Sequence, residues 1–102
     1  MGYALSEEIV NQDGINVNAN LWEYLLPNAP MIPADLTVEM VEIPSTYGPF
    51  GAKGIGESGT IGATPAVQNA VVDALAPFGV RHVDMPANGE RVWRALQDAA
   101  QS

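Results

Sequence analysis

The sequence predicts an α+β fold, a small single domain of short strands with two or three helices. Apolar residues at helical spacing carry the helical half of that expectation, in "ATPAVQNAVVDALAPFG" and again in "ANGERVWRALQDAAQS". Stretches that alternate apolar with polar residues, "INVNAN" and "TVEMVEIP", carry the strand half. The expected order is helix, strand, loop, strand, loop, helix, strand, helix.

Residues 3–11 read as the first helix, with Ser6 and the Glu7-Glu8 pair near its start. Asp13-Gly14 signals a turn, after which Ile15, Val17 and Ala19 alternate with Asn16, Asn18 and Asn20 as a strand does. "PNAPMIP" places prolines at 27, 30 and 33, which cannot donate to a ladder, so an extended loop is expected there. "TVEMVEIP" reads as the second strand, with Val38, Met40 and Ile43 apolar and Glu39 and Glu42 exposed. Thr64 is the expected N-cap of the clearest helix and Pro65 its first residue. Val67, Ala70, Val71, Ala74 and Leu75 form its stripe, and Pro77 with Gly79 ends it. "VRHVDMP" reads as a short strand, and a last helix follows, apolar at Val92, Trp93 and Leu96. No internal repeat or low-complexity segment is present.

Composition excludes several function classes. At 47% hydrophobic and 16% charged the chain is too apolar to be disordered. A domain of 102 residues buries only about two-thirds of its unfolded surface, so support from a partner is expected. Twelve acids stand against four Lys plus Arg, a net charge of -8. Lys53, Arg81, Arg91 and Arg94 cannot build a basic patch, which argues against nucleic acid and anionic membranes. With no cysteine and one histidine, His82, the chain offers no soft metal ligand set, and no metal site is expected within it. The start "MGYALSEEIVNQ" lacks a signal-peptide pattern, and no apolar run reaches the roughly twenty residues a membrane span needs. A soluble, cytoplasmic chain is the expectation. Trp22, Tyr24 and Trp93 read as core or interface anchors, His82 as a surface or hydrogen-bonded structural residue, and Glu7, Glu8, Glu39 and Glu42 as solvated faces.

The stretch "GPFGAKGIGESG", residues 48–59, is dense in glycine and holds only Lys53 and Glu57 as ionisable residues. Such density is costly in conformational entropy. Residues 54–59 match G-x-G-x-x-G, but the nearest expected strand ends near Ile43, roughly ten residues too early for a dinucleotide fingerprint. A carboxylate inside the cradle would also repel a pyrophosphate. Lys53 lies between Ala52 and Gly54, so the phosphate-loop pattern fails too. A solvated linker is the plain alternative. Phe50, Ile55 and Ile61 fit it poorly and favour a loop packed against something large, with one acid pointing into it.

"GPFGAKGIGESG" followed by "ATPAVQNAVVDAL" closely resembles the C-terminal end of the molybdenum hydroxylases. These are the large molybdopterin-binding subunits of the xanthine dehydrogenase, aldehyde oxidoreductase and aerobic carbon monoxide dehydrogenase family. The resemblance runs the whole length. Residues 2–44 are similar to the region leading to that motif, and "DMPANGERVWRAL" to the final helix, with Asn88-Gly89 where Thr-Pro is more usual. The K-G-x-G-E core with its following helix is the specific signal.

The resemblance implies that residues 1–102 form the C-terminal part of a molybdopterin-binding domain. It implies that Glu57 is the active-site base, taking a proton from the hydroxide on molybdenum so that oxygen attacks an electron-poor carbon while hydride passes to the sulfido ligand. A carboxylate packed on apolar surface with few charged neighbours suits such a base. Gly54 and Gly56 would let the backbone approach metal and pterin. Lys53 either anchors the loop or is a solvated lysine. The implied cofactor is molybdopterin, plain or as its cytosine dinucleotide, in the complete enzyme, with none expected in the isolated chain. The implied partners are the remainder of the subunit and iron–sulfur and FAD subunits. The family's subunit is several times longer, and Met1-Gly2-Tyr3 corresponds to mid-domain. An excised fragment or one piece of a split subunit is therefore expected, inactive alone and prone to weak dimerisation when isolated. A non-catalytic interaction or assembly module that keeps the sequence is the alternative.

Overall fold

The N-terminal helix is one turn, Gly2–Leu5 (α1), in a computed structural model that describes residues 1–101. It stops four residues after it starts because Ser6 leaves helical geometry. Asp13 (φ 51) and Gly14 (φ 80) then take the left-handed backbone of a type I′ turn. That turn pairs Asn11–Gln12 (β1) antiparallel with Ile15–Asn16 (β2), Asn11 opposite Asn16. The expected strand over 15–20 is thus only two residues long. The proline segment is an irregular loop with a single 3-10 turn at Ala29–Met31.

"TVEMVEIP" and "VRHVDMP" form no strand. A strand exists only when its backbone groups find a partner. Residues 35–43 are exposed on both faces with no neighbouring strand beside them, so β propensity alone cannot hold a ladder there. Residues 80–87 serve as an apolar wedge instead, with Val80, Val83 and Ala87 buried.

That wedge is the centre of the core. Val71 and Leu75 from Ser58–Leu75 (α2) pack on it from one side. Val92, Ala95, Leu96 and Ala99 from Gly89–Ala100 (α3) pack from the other. The α2 stripe is as expected at Val71 and Leu75, whereas Trp93 lies off the core and is 60% exposed. Pro77 sits in a closing 3-10 turn and Gly79 (φ 84) reverses the chain into the wedge, as expected. Asn88 caps α3 by accepting from the Arg91 N–H at 3.0 Å.

The N-terminal segment is tied to this core. Ala87 N–H donates to the Ala4 carbonyl at 2.6 Å. The Arg91 guanidinium reaches the Glu8 carboxylate at 2.6 Å, and Tyr24 donates its hydroxyl to Glu7 at 2.7 Å. Glu7 and Glu8 are therefore partly buried partners rather than solvated faces. The Glu7 carboxylate holds the Tyr24 hydroxyl above its ordinary pKa, because that hydroxyl donates to an anion.

Beyond this small core the chain is open. The Cα radius of gyration is 18.1 Å, where a compact domain of about 100 residues has about 13 Å. Trp22, Val38, Met40, Val41, Tyr47, Phe50, Ile55 and Ile61 all stand exposed. No helix among the described residues is long and apolar enough to cross a membrane.

Candidate active site

The helix that follows the glycine motif starts at Ser58 rather than at Pro65 with Thr64 as its cap, so Pro65 lies inside it. The difference matters for Glu57, which becomes the residue immediately before the helix. Proline removes one backbone donor, and Gly59 and Gly62 are poor helix formers, so local preference favours the later start. Nor does burial stabilise the added turns, since residues 58–63 are all exposed. Two helical turns with low propensity and no cover in this chain adjoin its most conspicuous acid.

Glu57 is exposed, and its carboxylate has no hydrogen-bond or ionic partner among the described residues. Its carbonyl accepts from Thr60 N–H at 2.8 Å and Ile61 N–H at 3.1 Å, which fixes the backbone at the head of α2. Lys53 is likewise exposed and unpaired among the described residues. The backbone N–H groups from Lys53 to Gly59 find no acceptor among the described residues.

The glycines of this stretch divide into two classes. At Gly48 a Cβ would meet the Ala52 carbonyl oxygen at 2.5 Å, and at Gly51 (φ +75) it would meet Pro44 Cβ at 2.9 Å. Those two are required by the chain's own geometry. At Gly54, Gly56, Gly59 and Gly62 a Cβ would meet nothing within 4 Å, and none has positive φ. Nothing inside the chain asks for glycine there.

Between Pro44 and Ala52 lies a locked loop, of which sequence reading singled out the glycine-rich half from Gly48 but not its lock on Ser45. Ser45 N–H donates to the Gly51 carbonyl at 2.9 Å, and Ser45 Oγ accepts from Gly48 N–H at 3.0 Å and Tyr47 N–H at 3.2 Å. Ala52 N–H closes a turn on the Pro49 carbonyl at 3.0 Å. Its central residues are Phe50 (φ 58, ψ 15) and Gly51, a type I′ pair in which asparagine or glycine normally precedes glycine. Left-handed backbone costs a residue like phenylalanine about 1–2 kcal/mol. The sequence signal was Pro-Phe-Gly, visible only once the turn type was known.

The grooves on the chain's surface lie away from the glycine loop. Surface grooves lie between residues 79–84 and α3, along α2 near Asn69 to Ala76, and around Ile9 and Tyr24. None of these is lined by residues 48–61. Among the described residues no cluster of three His, Cys, Asp or Glu is placed to hold a metal ion. His82 pairs with Asp84 at 2.9 Å, far along the chain from the glycine loop. An exposed carboxylate can accept a proton, and free backbone N–H groups can donate to polar acceptors.

No protein-family model matches the chain. The carbon monoxide dehydrogenase large chain of Hydrogenophaga pseudoflava is 45% identical over 78 residues, 76% of this chain and 10% of that protein. The nicotine 6-hydroxylase large subunit of Paenarthrobacter nicotinovorans is 38% identical over 98 residues, 95% of this chain and 12% of that protein. Among solved structures, quinoline 2-oxidoreductase from Pseudomonas putida 86 superposes with a TM-score of 0.85 at 40% identity, over 95% of this chain and 12% of its own. The chain therefore spans about a tenth of the length of the curated relatives it matches.

Proposed function

We propose that this chain, a homologue of the C-terminal segment of molybdenum hydroxylase large subunits, supplies Glu57 as the proton-accepting base of a hydroxylase completed by the rest of such a subunit. The observation that carries the reading is Glu57 itself: an exposed carboxylate with no partner among the described residues, at the head of α2 and beside glycines that no described residue requires. The relatives act in the context of a large chain or large subunit, as their names state.

The residues present fit a molybdopterin cofactor. The open faces at Gly54 and Gly56 leave room for a bulky group, and the unpaired N–H groups from Lys53 to Gly59 can donate to its polar edge. When bound, the cofactor supplies the oxidising metal centre and the oxygen that is transferred. Glu57 then takes the proton that the attacking oxygen loses. An aldehyde or an electron-poor N-heterocycle is the substrate class that suits this chemistry. Iron–sulfur and FAD subunits would carry the electrons away. The direct test is Glu57→Gln in the complete enzyme, with turnover measured at known cofactor content.

The glycine assignment has its own test. Gly56→Ala should leave the folding of this segment unharmed, since its Cβ meets nothing within 4 Å and φ is not positive. In the complete enzyme the same substitution should lower cofactor content or turnover, because the space belongs to the cofactor. Wild-type molybdenum content and wild-type turnover in Gly56→Ala would remove Gly56 from the site.

The exposed apolar residues make a further expectation. An isolated chain of 102 residues carrying uncovered Ile55, Ile61, Tyr47 and Phe50 should self-associate, most simply as a weak dimer. Its net charge of -8 opposes this only within a screening length of about 8–10 Å at moderate salt. Light scattering across a concentration series measures it, with Ile55→Glu expected to shift the population to monomer. A strictly monomeric wild-type chain would contradict the expectation.

A further inference from the structure

We propose that Phe50 is an anchor whose ring seats in an apolar pocket of the remaining part of the large subunit, holding residues 53–57 in register with the site. The proposal rests on the reading that this chain works inside such a subunit. Three observations meet at Phe50. Its ring is fully exposed and touches no core. Its backbone is left-handed at φ 58, a conformation that phenylalanine avoids and that glycine would adopt freely. The loop around it is nevertheless locked, by the Ser45 hydrogen bonds and by glycines at 48 and 51 that admit no side chain.

A strained aromatic on a fixed pedestal has no purpose within this chain. Burial in an apolar pocket would compensate the backbone strain, because a phenylalanine ring is among the largest apolar payloads a side chain can bury. The occupant of choice is the rest of the homologous subunit. A fold similar over 95% of this chain accounts for only 12% of the solved quinoline 2-oxidoreductase. Lys53 follows the pedestal by three residues and Glu57 by seven, so seating the ring limits how far this short glycine-rich run can stray from the site. Phe50 is thus a positioning residue for Glu57.

Lys53 makes the proposal measurable, because it is the chain's one lysine and is exposed here. The experiment is limited trypsin digestion of the complete, cofactor-loaded enzyme, following cleavage after Lys53. The wild type should resist, and Phe50→Gly should be cut about tenfold faster or more, since cleavage tracks the population of the open loop. Phe50→Leu, which keeps apolar volume, should recover most of the protection. Glycine decides between roles. If Phe50 only shaped the turn, Phe50→Gly would relieve strain and be at least as protected as wild type; that result overturns the anchor, as does rapid cleavage of the wild-type enzyme after Lys53. Glycine is native to this backbone geometry, so the turn survives the substitution. Glu57→Gln should leave protection unchanged. Normal turnover in Glu57→Gln with an opened loop in Phe50→Gly would sink the base and keep the anchor, while the reverse pattern would do the opposite.

Discussion

Glu57→Gln in the complete large subunit is expected to lower turnover by about 10²–10⁴-fold, the usual worth of a general base. The amide keeps the size and nearly the shape of the carboxylate but cannot take the proton. Because the Glu57 side chain makes no hydrogen bond among the described residues, its replacement breaks no contact within this segment. Cofactor content should therefore stay at the wild-type level, and the loss should fall on kcat at saturating substrate. Assay of molybdenum and pterin alongside steady-state rates separates the two. Near-normal turnover at full cofactor occupancy would show that Glu57 is not the base.

Val83→Asp is expected to abolish the packing of α2 and α3 on the wedge between them. Val83 is 3% exposed at the centre of the wedge between them, and its carbonyl accepts from Gln68 Nε2 at 2.5 Å. An aspartate there would bury an unpaired charge, at a cost of several kcal/mol against a core built from a handful of residues. In the complete enzyme the variant should accumulate as insoluble subunit or melt at a much lower temperature. Val83→Ile, which only adds a methylene, should cost far less. A melting temperature unchanged by Val83→Asp would mean that the wedge does not hold the two helices. Unlike Glu57→Gln, this change acts on the scaffold, so cofactor content and turnover should fall together.

The sequence by itself determined what is local. Asp13-Gly14 signalled a turn, Pro77 with Gly79 ended the α2 region, and the i, i+4 pair Val71 and Leu75 found the core. The motif around Glu57 led to the family, which the relatives then supported. Tertiary structure alone decided the rest. "TVEMVEIP" has strand propensity but no partner strand among the described residues, and a ladder is a property of two segments. Glu8 proved half-buried because Arg91, eighty-three residues away, reaches it at 2.6 Å. Propensity placed the start of α2 at Pro65, whereas the fold carries it back to Ser58 and sets Glu57 at its head. Short-range preferences act over a few residues and are written in the sequence. Pairing, burial and the exposure of Phe50 depend on which distant surface arrives, and only the folded chain shows that.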